Sequence, residues 1–200
     1  ARAAVEIIER GVDALRAPYL YTLGNHDWHF PYLPRNDATR LEFYSRLAHL
    51  AGHSPAAQVM TLGGARLVAL DNSNYQVTDE QLEFLYRQLQ TGEPCLLFLH
   101  IPLYTPTLAL PVLDNWKVPI MMAAPGWTEQ ARKKNKVRES DPSTTACHRL
   151  LTRGAPDNLV GVFCGHVHLD HAGEVCPGRF QYVTREGFRN GYRVIRLEPL

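Results

Sequence analysis

Two hundred residues, 45% of them apolar and 20% charged, form a chain long enough to bury roughly 70% of its unfolded surface, which excludes a disordered, collagen-like or coiled-coil protein. Lys and Arg number 21 against 20 Asp and Glu, a net charge of +1, so the overall charge gives no attraction to nucleic acid or to an anionic membrane. Apolar runs such as 95–99 and 118–124 fall far short of the roughly 20 residues of a membrane span.

A first helix is expected over residues 5–16, where Val5, Ile8, Val12 and Leu15 recur at helical spacing and Pro18 follows. Tyr19–Leu23 reads as a short apolar strand running into Gly24-Asn25-His26-Asp27. Asp37 is expected to cap a second helix, with Leu41, Tyr44, Leu47 and Leu50 on one face and Gly52 beyond its end. Gln58–Leu62 and Ala65–Leu70, joined by Gly63-Gly64, read as a hairpin. Thr78-x-x-Gln81 reads as a capping box for a third helix carrying Leu82, Leu85, Tyr86 and Leu89. Cys95–Leu99 is a continuous apolar strand of the kind covered on both faces, and it ends at His100. Residues 101–143 hold six prolines, no sustained periodicity and a basic run of Arg132, Lys133, Lys134, Lys136 and Arg138. Thr144–Arg153 reads as a helix stopped at Gly154, and Leu159–Cys164 as a buried strand ending in Gly165-His166-Val167-His168. Three short strands are expected to close the chain, over Ala172–Val175, Phe180–Thr184 and Tyr192–Leu197. Strands alternating with helices and then a run of strands predict an α/β protein with sheet packed on sheet.

Cys95, Cys147, Cys164 and Cys176 form no C-x-x-C pair and no disulfide framework, which points to a reducing, cytoplasmic compartment. The chain begins Ala-Arg-Ala-Ala, with no initiator Met and no signal pattern, so its N-terminus reads as cut.

Nine histidines are an unusual number for this length, and their placement matters more than their count. Three buried-type strands each end in a histidine-bearing segment: Tyr19–Leu23 in Asn25-His26-Asp27, Cys95–Leu99 in His100, and Leu159–Cys164 in His166 and His168. In α/β sheets the loops beyond the carboxyl ends of strands are where ligands bind. Neutral imidazole is the commonest protein ligand of transition metals, and an Asn oxygen is a compatible harder donor. Singly these residues read as structural ones; together and in order they read as one cleft.

Gly-Asn-His-Asp at 24–27, His100 followed by Pro102, and Gly-His-Val-His at 165–168 resemble the calcineurin-like metallophosphoesterase superfamily. The resemblance implies a four-layer α/β/β/α sandwich with a binuclear centre of Mn, Fe or Zn that hydrolyses a phosphomonoester or phosphodiester. It implies that Asn25, His100 and His166 ligate the second metal and His168 the first. It further implies that His26 protonates the leaving oxygen and that Asp27 holds His26 in the useful tautomer. A small-molecule or nucleotide-like phosphoester is the partner this implies.

The family's opening Asp-x-His and its Gly-Asp segment are absent from the chain. Asp27-Trp28-His29 spells the former but already belongs to the Gly-Asn-His-Asp block. Residues 1–200 are therefore expected to be the C-terminal part of one such domain, N-terminally truncated, with the missing motifs upstream of Ala1 and weak metal occupancy in the chain alone. The alternative is a non-catalytic scaffold that keeps the fold to bind a protein partner. The 101–143 insertion reads either as a cap over the cleft, where Tyr104, Trp116, Trp127 and the basic run meet a base or a phosphate, or as a packed insertion with a solvated basic face. His29 and His171 are possible cleft residues, His49 and His53 fit a helix terminus, and His148 a helix surface.

Overall fold

A computed structural model describes residues 2–30, 32–47, 50 and 54–198. Its helices are Arg2–Leu15 (α1), Asn25–Trp28 (α2), Asp37–Leu47 (α3), Asp79–Leu89 (α4), Pro106–Trp116 (α5), Glu129–Asn135 (α6) and Pro142–Arg153 (α7). Its strands are Ala57–Leu62 (β1), Ala65–Leu70 (β2), Cys95–Leu99 (β3), Leu159–Cys164 (β4), His171–Cys176 (β5) and Arg179–Val183 (β6). Among the described residues no helix is long and apolar enough to cross a membrane.

The strands form one sheet in the order β1-β2-β3-β4-β6-β5. Gly63 and Gly64, at φ 58° and 78°, make the tight turn between antiparallel β1 and β2. From β2 the sheet runs parallel through β3, β4 and β6, and β5 closes it antiparallel. The carboxyl ends of β2, β3 and β4 therefore open on one edge, and His100, His166 and His168 follow two of them.

Register separates the two faces. Val68, Leu97, Val162 and Gln181 lie side by side across the sheet, on the face where Leu85 and Leu89 of α4, Leu108 and Val112 of α5, and Cys147 and Leu151 of α7 complete the core. Gln181 is buried there because its side chain accepts from Leu103 N (2.7 Å) and donates to Leu103 O (3.1 Å). On the opposite face Phe98, Phe163 and Tyr182 stack in a row with centroids 5.3 Å apart at each step. A smaller core of Leu23, Trp28, Phe43, Leu47 and Leu50 seats α2 on α3.

The capping box forms as expected at α4, with Thr78 Oγ1 accepting from Gln81 N and Gln81 Oε1 accepting from Thr78 N. The insertion is more ordered than its prolines suggest. Thr105 caps α5, Pro106 takes a first-turn position where no amide partner is needed, and Pro111 sits within the helix. Asp37 is the first residue of α3, and the cap is Asn36, whose Oδ1 accepts from Thr39 N at 3.0 Å. Leu41 faces outward at 57% exposure; Phe43 and Leu47 face the core. Gly52, His49 and His53 lie outside the described residues.

Two expected strands are not strands. Tyr19–Leu23 runs extended without a ladder and is held by side chains, Gln58 Nε2 donating to Tyr21 O (2.6 Å) and Thr22 Oγ1 to Leu70 O (3.2 Å). Tyr192–Leu197 pairs with nothing because β6 already has β4 and β5 on its two sides; Tyr192 and Val194 are exposed. The expected second sheet is not seen among the described residues; they form one sheet with α4, α5 and α7 packed on one face.

Candidate metal centre and its cleft

The turn after β3 is shaped by Asn72, fully buried at the end of β2. Its Oδ1 accepts from His100 N (3.1 Å) and Ile101 N (2.9 Å), and its Nδ2 donates to Ile101 O (2.7 Å). Gly165 N donates to His100 O at 3.1 Å, which locks the ends of β3 and β4 together. Gly24 lies so close that a Cβ there would stand 3.0 Å from His100 Cε1. A side chain at position 24 would push against this imidazole, which a glycine avoids.

These constraints bring three donor atoms from three segments into one triangle. Asn25 Oδ1 is 2.9 Å from His100 Nε2 and 3.1 Å from His166 Nδ1, and the two ring nitrogens are 3.2 Å apart. Adjacent ligands about 2.1 Å from a first-row ion stand about 3.0 Å apart, so this triangle fits one face of a coordination shell. Burial holds both imidazoles neutral, with a lone pair free to ligate. It takes His100 down to about 4, helped by the charges of His26 and His168, and it takes His166 well below its ordinary value. The other nitrogen of His166, Nε2, meets Tyr75 Oη at 2.9 Å, the kind of outer contact that orients a metal-ligating imidazole.

His168 is outside the triangle; its ring meets Trp116 and Phe188 edge-on. Among the described residues no three His, Cys, Asp or Glu side chains are grouped to hold a metal ion, and the third donor here is an asparagine. His166 and His168 both have left-handed backbone, φ 68° and 56°. So do Tyr75, Lys117 and Lys136, which share their cleft. Strained backbone of this kind costs of order 1–3 kcal/mol per residue and gathers at functional sites.

The cleft has a volume of about 620 Å³. His26 is exposed on its wall, with no hydrogen-bond partner among the described residues. Among the described residues no hydrogen bond joins Asp27 to His26. The Asp27 carboxylate folds back to accept from Gly24 N (2.7 Å) and Tyr21 Oη (2.8 Å), as the third residue of a helix start does. His29 lines the cleft too, its pKa lowered to about 4 by burial and then by Arg35 and Lys136. His171 does not line it. His148 is partly buried and donates to Tyr104 O (2.9 Å), away from the cleft.

The insertion supplies one wall. Trp116, Lys134 and Lys136 line the cleft, and Trp116 Nε1 donates to Val167 O at 2.8 Å. Trp127 packs edge-on against Tyr75, and Arg138 turns away to Asp141. Arg35, Tyr75 and Lys117 were not among the residues marked by the sequence. A polar run after a buried strand was the available signal for Asn72 and Tyr75; Arg35 carries none.

No protein-family model and no curated protein matches the sequence. Among solved structures the fold is similar to a dimetal phosphatase from Danio rerio, with a TM-score of 0.56 and 12% identity. The likeness is one of fold. The match covers 92% of this chain and 66% of that protein, so the chain spans just under two-thirds of its length. Two of the triangle's donors, His100 and His166, follow the ends of the parallel strands β3 and β4.

Proposed function

We propose that this chain is the metal-holding part of a phosphoester hydrolase with a binuclear centre. The donor triangle of Asn25, His100 and His166 carries the reading, because three segments far apart in sequence present compatible, neutral ligand atoms at ligand-to-ligand spacing. These three residues would hold one ion, with His168 as a donor toward the other. A divalent transition ion such as Mn, Fe or Zn held there would supply Lewis acidity for the phosphoryl group and for water. His26 presents its imidazole to the cleft and gives its proton to the departing ester oxygen. Asn72 and Tyr75 hold the His100 turn and the His166 ring. The complete protein, on this reading, adds a second sheet on the Phe98–Phe163–Tyr182 face and the missing carboxylate motifs.

The full-length protein should hydrolyse p-nitrophenyl phosphate with added Mn, and His26→Ala should lower kcat by about 10²–10⁴ while leaving Mn binding unchanged. Undiminished turnover in His26→Ala removes that residue from the proton transfer. Metal bound with no turnover on monoesters or diesters supports a non-catalytic scaffold instead.

A further inference from the structure

Four permanent cations, Arg35, Lys117, Lys134 and Lys136, line the cleft above the donor triangle, and no Asp or Glu lines it. Among the described residues none of the four pairs with a carboxylate. Elsewhere the chain pairs its cations readily, as in Arg40–Asp71, Arg66–Glu93, Arg87–Glu83 and Arg138–Asp141. With 21 basic and 20 acidic residues overall, the cleft is a local surplus rather than a consequence of composition.

Arg35 is the most constrained of the four. It is half-buried, one guanidinium nitrogen donates to Asn135 O at 2.6 Å, and its carbon lies 5.7 Å over the Tyr75 ring. Those contacts anchor the guanidinium without neutralising it. Desolvation lowers its pKa, which marks a cation held away from water without a counter-ion. Lys134 and Lys136 flank Asn135, so the same anchor brings their ammonium groups to the cleft. A partly desolvated cation without a partner raises the free energy of the empty site, and a ligand that supplies the anion recovers it.

We propose that Arg35, Lys134 and Lys136 form an anion subsite beside the donor triangle, so that the substrate is a small phosphoester carrying a second anionic group, phosphate or carboxylate, away from the reacting phosphoryl. This rests on the hydrolase reading for the word substrate, but the subsite binds its anion without metal. Arg35 takes the planar anion on its fork; the two lysines supply point charges.

The test is calorimetric titration of the metal-free full-length protein with inorganic pyrophosphate and, separately, with the tricarboxylate citrate. At least one of them should bind, and Arg35→Gln should weaken that binding at least tenfold. The tighter of the two identifies the anion. Lys134→Gln combined with Lys136→Asn should weaken it similarly; both side chains are exposed, and Asn tolerates the left-handed backbone at position 136, so this pair tests the site even if Arg35→Gln fails to fold. His100→Ala should leave the anion affinity within twofold. Retained, Arg35-dependent binding in a protein that hydrolyses nothing would sink the hydrolase reading and keep the subsite. Binding of neither anion, or binding indifferent to all three cations, overturns the subsite whatever the turnover.

Discussion

At His100 and His166 the same burial that keeps the imidazoles available as ligands makes the metal-free protein acid-sensitive. Both have folded pKa values below the 6.5 of an unfolded histidine, His100 at about 4. Between those values the unfolded chain binds more protons than the folded one. The stabilisation is therefore complete above about pH 6.5 and is lost as pH falls through 6.5 toward 4. Urea midpoints of the metal-free protein should be flat down to about pH 6.5 and decline below it, and His100→Gln should make that decline shallower. A midpoint equally flat at about pH 5 would contradict the burial of these two rings. Asp27 carries the opposite lesson at this scale. Its neighbour in sequence is His26, but its nearest donors are Gly24 N and Tyr21 Oη. A carboxylate at the third position of a helix start serves the unpaired amides there first.

At the scale of elements, α3 matters because it holds the loop that carries Asn72 and Tyr75. Arg40 of α3, 5% exposed, donates to Asp71, 0% exposed, at 2.9 Å, and Tyr44 donates to the same carboxylate. Arg40→Leu leaves Asp71 buried without its cation and should cost about 3–5 kcal/mol of stability in urea unfolding. Adding Asp71→Asn removes the stranded charge, so the double variant should lose less than Arg40→Leu alone. Equal losses would show that Arg40 acts through packing. The elements also show which local signals carry. The Gly63-Gly64 turn and the Thr78–Gln81 box are short-range devices, complete within a few residues, and both formed where expected. The strands expected over Tyr19–Leu23 and Tyr192–Leu197 needed a free neighbour in a sheet, and an apolar run carries no information about its neighbours.

At the scale of the molecule, the donor set decides what the chain holds by itself. Asn25, His100 and His166 make one three-donor face, and His168 stands outside it among aromatic rings. A binuclear centre needs more ligands than these. Elemental analysis of the 200-residue chain after dialysis should find one weakly held ion or less, and its turnover should be small. Two tightly held ions per chain would contradict the reading.

The sequence by itself determined the sheet's central strands, the placement of His100, His166 and His168 beyond their carboxyl ends, and the Thr78–Gln81 cap, because each depends on patterns within one segment. Only the tertiary structure decided the rest. It brought Arg35, Tyr75 and Lys117 into one cleft with His26, His29, His100, His166 and His168, split the basic run so that Lys134 and Lys136 face that cleft while Arg138 turns to Asp141, and set the Asp27 carboxylate on Gly24 N and Tyr21 Oη. Those outcomes depend on distances between segments tens of residues apart. Such distances are set by packing and register across the sheet, to which no single stretch of sequence has access.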